Sequence, residues 1–334
     1  MTGRILVLGG SVFVGHAVIE AALLHGWRVT AFNNDPGWLA RSNVEHIVGD
    51  RHEPVDVARL SGQRWDLVVD TWTGPVQAVR LGAIALSGCV GSYVYISSLT
   101  VYRPQVCEPL DETSPVIARP LHHDSVSYAE RKLDCERAVA EAFPDGHLII
   151  RAGLLLGPRE APGRLPWWLR RMHQGGEVLA PAPRARLIQY ADVRDLAAWS
   201  IRSGFGGLRG VINFACPRGH TTMAELIEAC RSATGEAASI RWVDPQVLLR
   251  NGVLPWTGLP LWIPTQQYPS SLDIYNVDVS KAVCAGAEFR PLAETVQDTQ
   301  AWLECLPSPG EPAPEQRGGR MTRAQEEEIL NSLR

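Results

Sequence analysis

The chain has 334 residues, 45% of them hydrophobic and 20% charged, enough for one large domain plus a smaller one with full cores. A net charge of −4 and a pI near 6.2 argue against global attraction to nucleic acid or an anionic membrane. Seven cysteines without a C-x-x-C pair point to reduced thiols, not to a disulfide framework or a zinc site, and no stretch nears the roughly 18 apolar residues of a membrane span.

The first strand starts at Arg4 and glycine soon breaks its apolar run, so no signal peptide is expected and the chain reads as cytoplasmic. That strand, RILVL, runs into GGSVFVG and then HAVIEAALLHG, where Val18, Ala21, Ala22 and Leu23 or Leu24 recur at helical spacing. Strand, glycine turn and helix form a place for a pyrophosphate. Gly9 and Gly10 free the backbone, Gly15 admits close helix–strand packing, and the amides of Ser11, Phe13 and Val14 would face the phosphates. In a G-x-x-G-x-x-G frame counted from Gly9, the middle glycine is replaced by Val12. The alternative is a tight connection that binds nothing.

WRVTAFNND reads as a second strand whose polar end falls about 18 to 20 positions after Gly15, where the ribose-reading group is expected. Asp35 there favours NAD, accepting from a ribose hydroxyl and repelling a 2′-phosphate. Asn33 is neutral and Arg28 and Arg41 are near, which keeps NADP open. A third strand, VEHIVGD, ends at Asp50, placed to accept from an adenine amino group or to cap the next turn. A fourth, WDLVVDT, brings Asp70 and Thr71 to the same sheet edge.

YVYISSLTVY is a buried strand ending at Ser98, and SYAERK puts Tyr128 and Lys132 one helical turn apart on one face. The lysine charge beside the phenol is expected to lower a pKa normally about 10 and make Tyr128 a general base. Ser98 would hold the substrate oxygen while a hydride leaves the same carbon for a nicotinamide.

Beyond the strand HLIIRAGLLL, alternation of strands and helices gives way to the aromatic, basic RLPWWLRRMHQGG and the proline-broken APAPRARLIQ. YADVRDLAAWSI then returns as a helix to the first domain, and VINFA adds a strand. The pattern predicts α/β architecture: a Rossmann doubly wound parallel sheet with a smaller C-terminal substrate domain. The Rossmann domain takes 1–156 and about 188–216, and the substrate domain takes about 157–187 and 217–305. A linker spans 306–321, and a capped amphipathic helix spans 322–334.

Candidate substrate contacts are His123, Arg159, Glu160, Trp168 and Arg186. His122, His123 and Asp124 precede Tyr128 on a loop that overhangs the site, where a histidine would be a second acid or base; the alternative is a solvated pair. Arg159 and Glu160 follow a strand's C-terminal edge, the ligand side of an open α/β sheet. Trp168 is a flat stacking surface or a core anchor. No metal cluster is visible in the sequence.

With GGSVFVG, GD at 49–50, YISSLTVY, YAERK, LIIRAGLLLGP and YADVRDLA in view, the chain resembles the extended and atypical short-chain dehydrogenase/reductase superfamily, in its NAD-dependent epimerase/dehydratase branch. The likeness runs from about Arg4 to Leu303 and implies Ser98, Tyr128 and Lys132 as catalytic residues, NAD as cofactor, and a small molecule as substrate. A homodimer through helices flanking the site is a further expectation of the resemblance. Two departures narrow it. Leu99-Thr100 stands where nucleotide-sugar dehydratases usually carry Asp-Glu, and Ile188 stands where nucleotide-sugar epimerases usually carry a phosphate-clamping arginine, for which Arg184 or Arg186 could substitute. The glycine turn also looks like the GGT-x-F-x-G version of atypical members, including chloroplast RNA-binding proteins. The reading is an enzyme that oxidises a secondary alcohol of a sugar-like or nucleoside-like molecule, transiently, toward epimerisation or dehydration. Alternatives are a net dehydrogenase or ketone reductase, and a non-catalytic dinucleotide-sensing or RNA-binding Rossmann protein.

Overall fold

A computed structural model describes residues 3–35, 43–104, 109–118, 126–264, 274–306 and 319–334. The strands in chain order are β1 (Arg4–Leu8), β2 (Arg28–Asn33), β3 (Val44–Val48), β4 (Trp65–Asp70), β5 (Val90–Ser98), β6 (His147–Ala152), β7 (Leu154–Leu156), β8 (Gly176–Pro181), β9 (Leu187–Ile188), β10 (Tyr190–Asp192), β11 (Gly210–Phe214), β12 (Thr221–Thr222) and β13 (Ala238–Val243). The helices are α1 (Phe13–Leu24), α2 (Pro54–Ala58), α3 (Val76–Leu86), α4 (Tyr128–Ala142), α5 (Arg164–His173), α6 (Val193–Phe205), α7 (Met223–Ala233), α8 (Pro245–Arg250), α9 (Ser280–Cys284), α10 (Leu292–Glu304) and α11 (Arg323–Ser332).

Seven strands form one parallel sheet in the order β11-β6-β5-β4-β1-β2-β3. Both of its faces are covered, so its strands are near-continuous apolar runs. One core packs the sheet against α1 and α6 through Val18, Ala22, Leu196 and Trp199. The other packs it against α2, α3 and α4 through Val57, Val79, Leu86 and Val139. The order reverses at β1, with β2 on one side and β4 on the other, so a crevice opens at their C-terminal ends.

HLIIRAGLLL, read above as one strand, is two. Gly153 separates them, and a Cβ there would press on Ala215 and Leu99 at 3.2 Å. β6 stays in the central sheet while β7 leaves it to pair with β10. From β7 onward a second apolar core builds up from Trp168, Leu179, Leu226, Val296 and Leu330. Helix α11 docks on this core. Thr322 caps it, Ile329 and Leu330 are buried, and the buried Glu326 carboxylate pairs with Arg171 and accepts from the Leu179 N–H at 2.9 Å. Among the described residues no helix is long and apolar enough to cross a membrane.

Candidate active site

The C-terminal ends of β1, β2, β4 and β5 open onto a cavity of about 920 Å³, toward the upper end for small-molecule and cofactor sites. Gly9, Ser11, Phe13, Val14 and Gly15 line it, together with Asn33, Asp50, Thr71, Ser98 and Tyr128.

The glycine turn is tight for a physical reason. Gly9 sits at φ +92°, and a Cβ there would meet the Thr71 hydroxyl at 2.9 Å. That hydroxyl donates toward the Leu8 and Gly9 carbonyls at 3.1 and 3.2 Å, tying the β4 exit to the turn. A Cβ on Gly15 would fall 2.1 Å from the Gly9 carbonyl oxygen. Val12, at φ −120° and ψ 159°, is extended, so the place of the missing middle glycine needs no special backbone, and its side chain is exposed in the cavity wall. No side chain caps α1, which leaves its first amides for an anionic ligand. Gly15→Ala is expected to shift the turn, lowering stability by about 1–3 kcal/mol and weakening dinucleotide binding at least about tenfold. Thermal melts and titration calorimetry measure both, and unchanged affinity would mean that the turn holds no ligand.

Asp70 faces away from the cavity and is fully buried. Its carboxylate accepts from Arg51 at 3.0 and 2.8 Å, from the Tyr93 hydroxyl at 2.7 Å and from the Trp72 N–H at 2.9 Å. Burial alone would raise its pKa, but the Arg51 charge and these donors outweigh it and hold the carboxyl below its ordinary value. Asp70 is thus a structural anchor that steadies two cavity-lining residues, Arg51 and Trp72, whose guanidinium and indole stack 4.5 Å apart. Gly10 packs on Ile19 behind the turn, and Asp35 is exposed and lies outside the cavity wall.

At the chemical end, Ser98 closes β5 and accepts from the Thr100 N–H at 3.2 Å and from the Thr100 hydroxyl at 3.0 Å. Tyr128 opens α4, set by a capping box in which Ser127 and Glu130 satisfy each other's backbone N–H groups. The residue is 42% exposed, and the Ser98 side chain acts on its phenol. Desolvation raises the phenol pKa, opposed by the Ser98 side chain and by the charges of Arg164 and Arg131. The lysine does something different from the expectation above. Lys132 Nζ donates to the Trp72 and Ile96 carbonyls at 2.7 and 2.6 Å and lies 4.8 Å from the Tyr95 ring centroid. Burial brings its pKa down to about 8, against the fields of Asp70, Cys135 and Glu136. One turn further on, Glu136 takes a bidentate bond from Arg151 and one from Ser97, which clamps α4 to β5 and β6.

On the far wall the residues differ from those picked in the sequence. Trp168 is core, its indole N–H donating to the Pro260 carbonyl at 3.0 Å. Glu160 is buried and caps the start of α5, accepting from the Arg164 and Leu165 N–H groups. Arg159, at φ 67°, and Arg186, beside the Tyr275 ring at 5.8 Å, are outside the wall; His122, His123 and Asp124 lie outside the described residues. In their place stand Arg164, Trp256 and Pro162. Arg164 is held by Glu160 at 3.0 Å and lies 4.8 Å from the Trp256 ring centroid, facing the cavity. Among the described residues no three His, Cys, Asp or Glu side chains converge to hold a metal.

Residues 5–202 match the model of the NAD dependent epimerase/dehydratase family. The chain belongs to that family. An Arabidopsis thaliana relative, the chloroplast stem-loop binding protein of 41 kDa b, is 24% identical over 249 residues, or 70% of this chain; the match spans 63% of the relative's length. The solved structure of the Bordetella bronchiseptica enzyme WbmH in complex with NAD+ superposes with a TM-score of 0.68 at 19% identity, covering 93% of this chain and 100% of that one. UDP-N-acetylglucosamine 4-epimerase from Methanobrevibacter ruminantium, in complex with UDP-N-acetylmuramic acid, does so at 0.69 and 17%, covering 91% and 98%. These structures share the fold of this family member. Its departures are visible in the site: Leu99 and Thr100 both line the cavity, and neither is a carboxylic acid. Trp72 follows the end of β4 and was findable by that rule, whereas Arg164 opens α5. Trp256 is among the second-half tryptophans that the sequence offers as stacking surfaces or core anchors, and tertiary folding alone singles it out by bringing it to Arg164.

Proposed function

We propose that this chain is an NAD-dependent enzyme that transiently oxidises a secondary alcohol of a nucleotide-linked sugar and returns it epimerised. The observation that carries the reading is that Tyr128 and Ser98 line one wall together with the glycine turn. NAD suits the residues present: uncapped amides at α1, a turn where Gly15 tolerates no Cβ, and a buried amide at Asn33 without a protein partner. Bound there, it would supply the carbon that takes the hydride.

Ser98 orients the substrate hydroxyl, and Tyr128 removes its proton as the C–H bond breaks. Lys132, fixed by the Trp72 and Ile96 carbonyls, holds the start of α4 against the β4 and β5 exits. The ketone presents its other face, takes the hydride back at carbon and its proton back from Tyr128 at oxygen, so protons and electrons balance and only configuration changes. Arg164 and Trp256 suit an anionic, ring-bearing substrate, consistent with neighbours of this fold solved with UDP-glucose and UDP-N-acetylmuramic acid. Dehydration is less favoured because Leu99 and Thr100 cannot exchange protons as a carboxylic acid would.

Nucleotide released from the purified, denatured protein tests this. NAD(H) near one equivalent per chain is the expected result, as recycling requires. Protein that neither retains nor binds a dinucleotide would reverse the reading and favour the non-catalytic alternative suggested by the stem-loop binding relative.

A further inference from the structure

Asn33 ends β2 on the face turned to α1, in line with Val29 and Ala31 of the α1-side core. It is 8% exposed and lines the cavity, yet both amide atoms, Nδ2 and Oδ1, have no protein partner. A buried amide with donor and acceptor both unused is costly unless a ligand completes it. The strand end in this position of a Rossmann sheet meets the adenosine ribose of a dinucleotide. Asp35 is exposed and outside the wall. Among the described residues that line the cavity the sole carboxylate is Asp50, past the end of β3, where it accepts from the His52 N–H at 2.9 Å.

We propose that Asn33 reads the adenosine ribose as a neutral amide, so that the site takes the 2′-phosphorylated dinucleotide NADP as well as NAD. The proposal rests on the dinucleotide reading of the cavity given above. A carboxylate at this corner only accepts: it bonds a 2′-hydroxyl and repels a 2′-phosphate. An amide does both tasks, Oδ1 accepting from a hydroxyl and Nδ2 donating to a phosphate oxygen. The surroundings are permissive. Asn34 adds a second neutral amide to the same wall, and the β3 exit lies alongside, with the Gly49 N–H donating to the Asn33 carbonyl at 2.9 Å. Two residues beyond Gly49, the buried Arg51 lines the cavity and its Nε–H is without a partner. Asp50, one residue beyond Gly49 and engaged by the His52 N–H, is the carboxylate an added phosphate would meet there, with Arg51 beside it.

Titration calorimetry of nucleotide-free protein with NAD+ and with NADP+ is the test. The expected wild-type dissociation constants lie within about tenfold of each other. Asn33→Asp is expected to weaken NADP+ at least about tenfold while NAD+ holds or tightens. A wild-type preference for NAD+ above about a hundredfold overturns the proposal and leaves the dinucleotide reading standing; so does an Asn33→Asp protein, folded by its melting curve, whose NADP+ affinity is unchanged. Should that variant not fold, the wild-type ratio decides alone. Binding of neither nucleotide overturns the dinucleotide reading and this proposal with it.

Discussion

Tyr128→Phe is expected to cut the rate at which a UDP-linked hexose reduces bound NAD+ by about 10²- to 10⁴-fold, with dinucleotide affinity unchanged. The readout is the near-ultraviolet absorbance of reduced nicotinamide after mixing with UDP-glucose and related UDP-hexoses. The substitution removes one hydroxyl at the first residue of α4 and leaves the Ser127–Glu130 capping box and the buried Lys132 and Glu136 anchors in place. Loss of rate therefore reports proton transfer and not collapse of the helix. The pH dependence has a defined sign. Desolvation holds the free Tyr128 phenol above its ordinary value, so the base form is scarce at neutral pH, and the wild-type rate should climb with pH. A variant that reduces NAD+ as fast as the wild type would exclude Tyr128 as base.

Much of the sheet could be read from the residues, because strands covered on both faces must be apolar throughout and a Rossmann order follows from alternating elements. The placement of Ser98, Tyr128 and Lys132 on their elements was also legible. Ser98 terminates an apolar run and Tyr128 and Lys132 share a helical face, which are local facts. Direction was not legible. Asp70 sits at a strand end like any ligand-reading carboxylate, and only the tertiary approach of Arg51 and Tyr93 turns it inward. The same holds for Trp168, whose aromatic, basic neighbourhood suggested a cleft although α5 turns that face to the second core. Lys132 lies on the face shared with Tyr128, but the carbonyls of Trp72 and Ile96, supplied by two different strand ends, decide where its ammonium points. Arg164 and Trp256 converge from segments far apart in the chain, so no spacing rule could pair them.

Asp70→Ala should destabilise the fold by about 3–5 kcal/mol, because it strands the buried Arg51 guanidinium without its counter-ion. Asp70 is fully buried and the Arg51 side chain is 10% exposed, so water cannot replace the lost partner well. Urea denaturation of Asp70→Ala, Arg51→Met and the double variant separates the pair from its parts. The double variant should recover much of the loss, since an apolar pair avoids the desolvation that the ion pair must offset. The wild-type advantage also depends on pH in one direction. The Asp70 pKa is lower in the folded than in the unfolded chain, so its contribution is complete above the unfolded value of about 3.9 and drains away as pH falls through the folded value. Stability measured from pH 7 downward should thus converge with that of Asp70→Ala only under strong acid. Because Arg51 and Trp72 both line the cavity and are both held by Asp70, the single variant should also bind dinucleotide more weakly under native conditions. Full stability in Asp70→Ala, or affinity that survives a large loss of stability, would break the link drawn here between the buried pair and the adenosine end of the site.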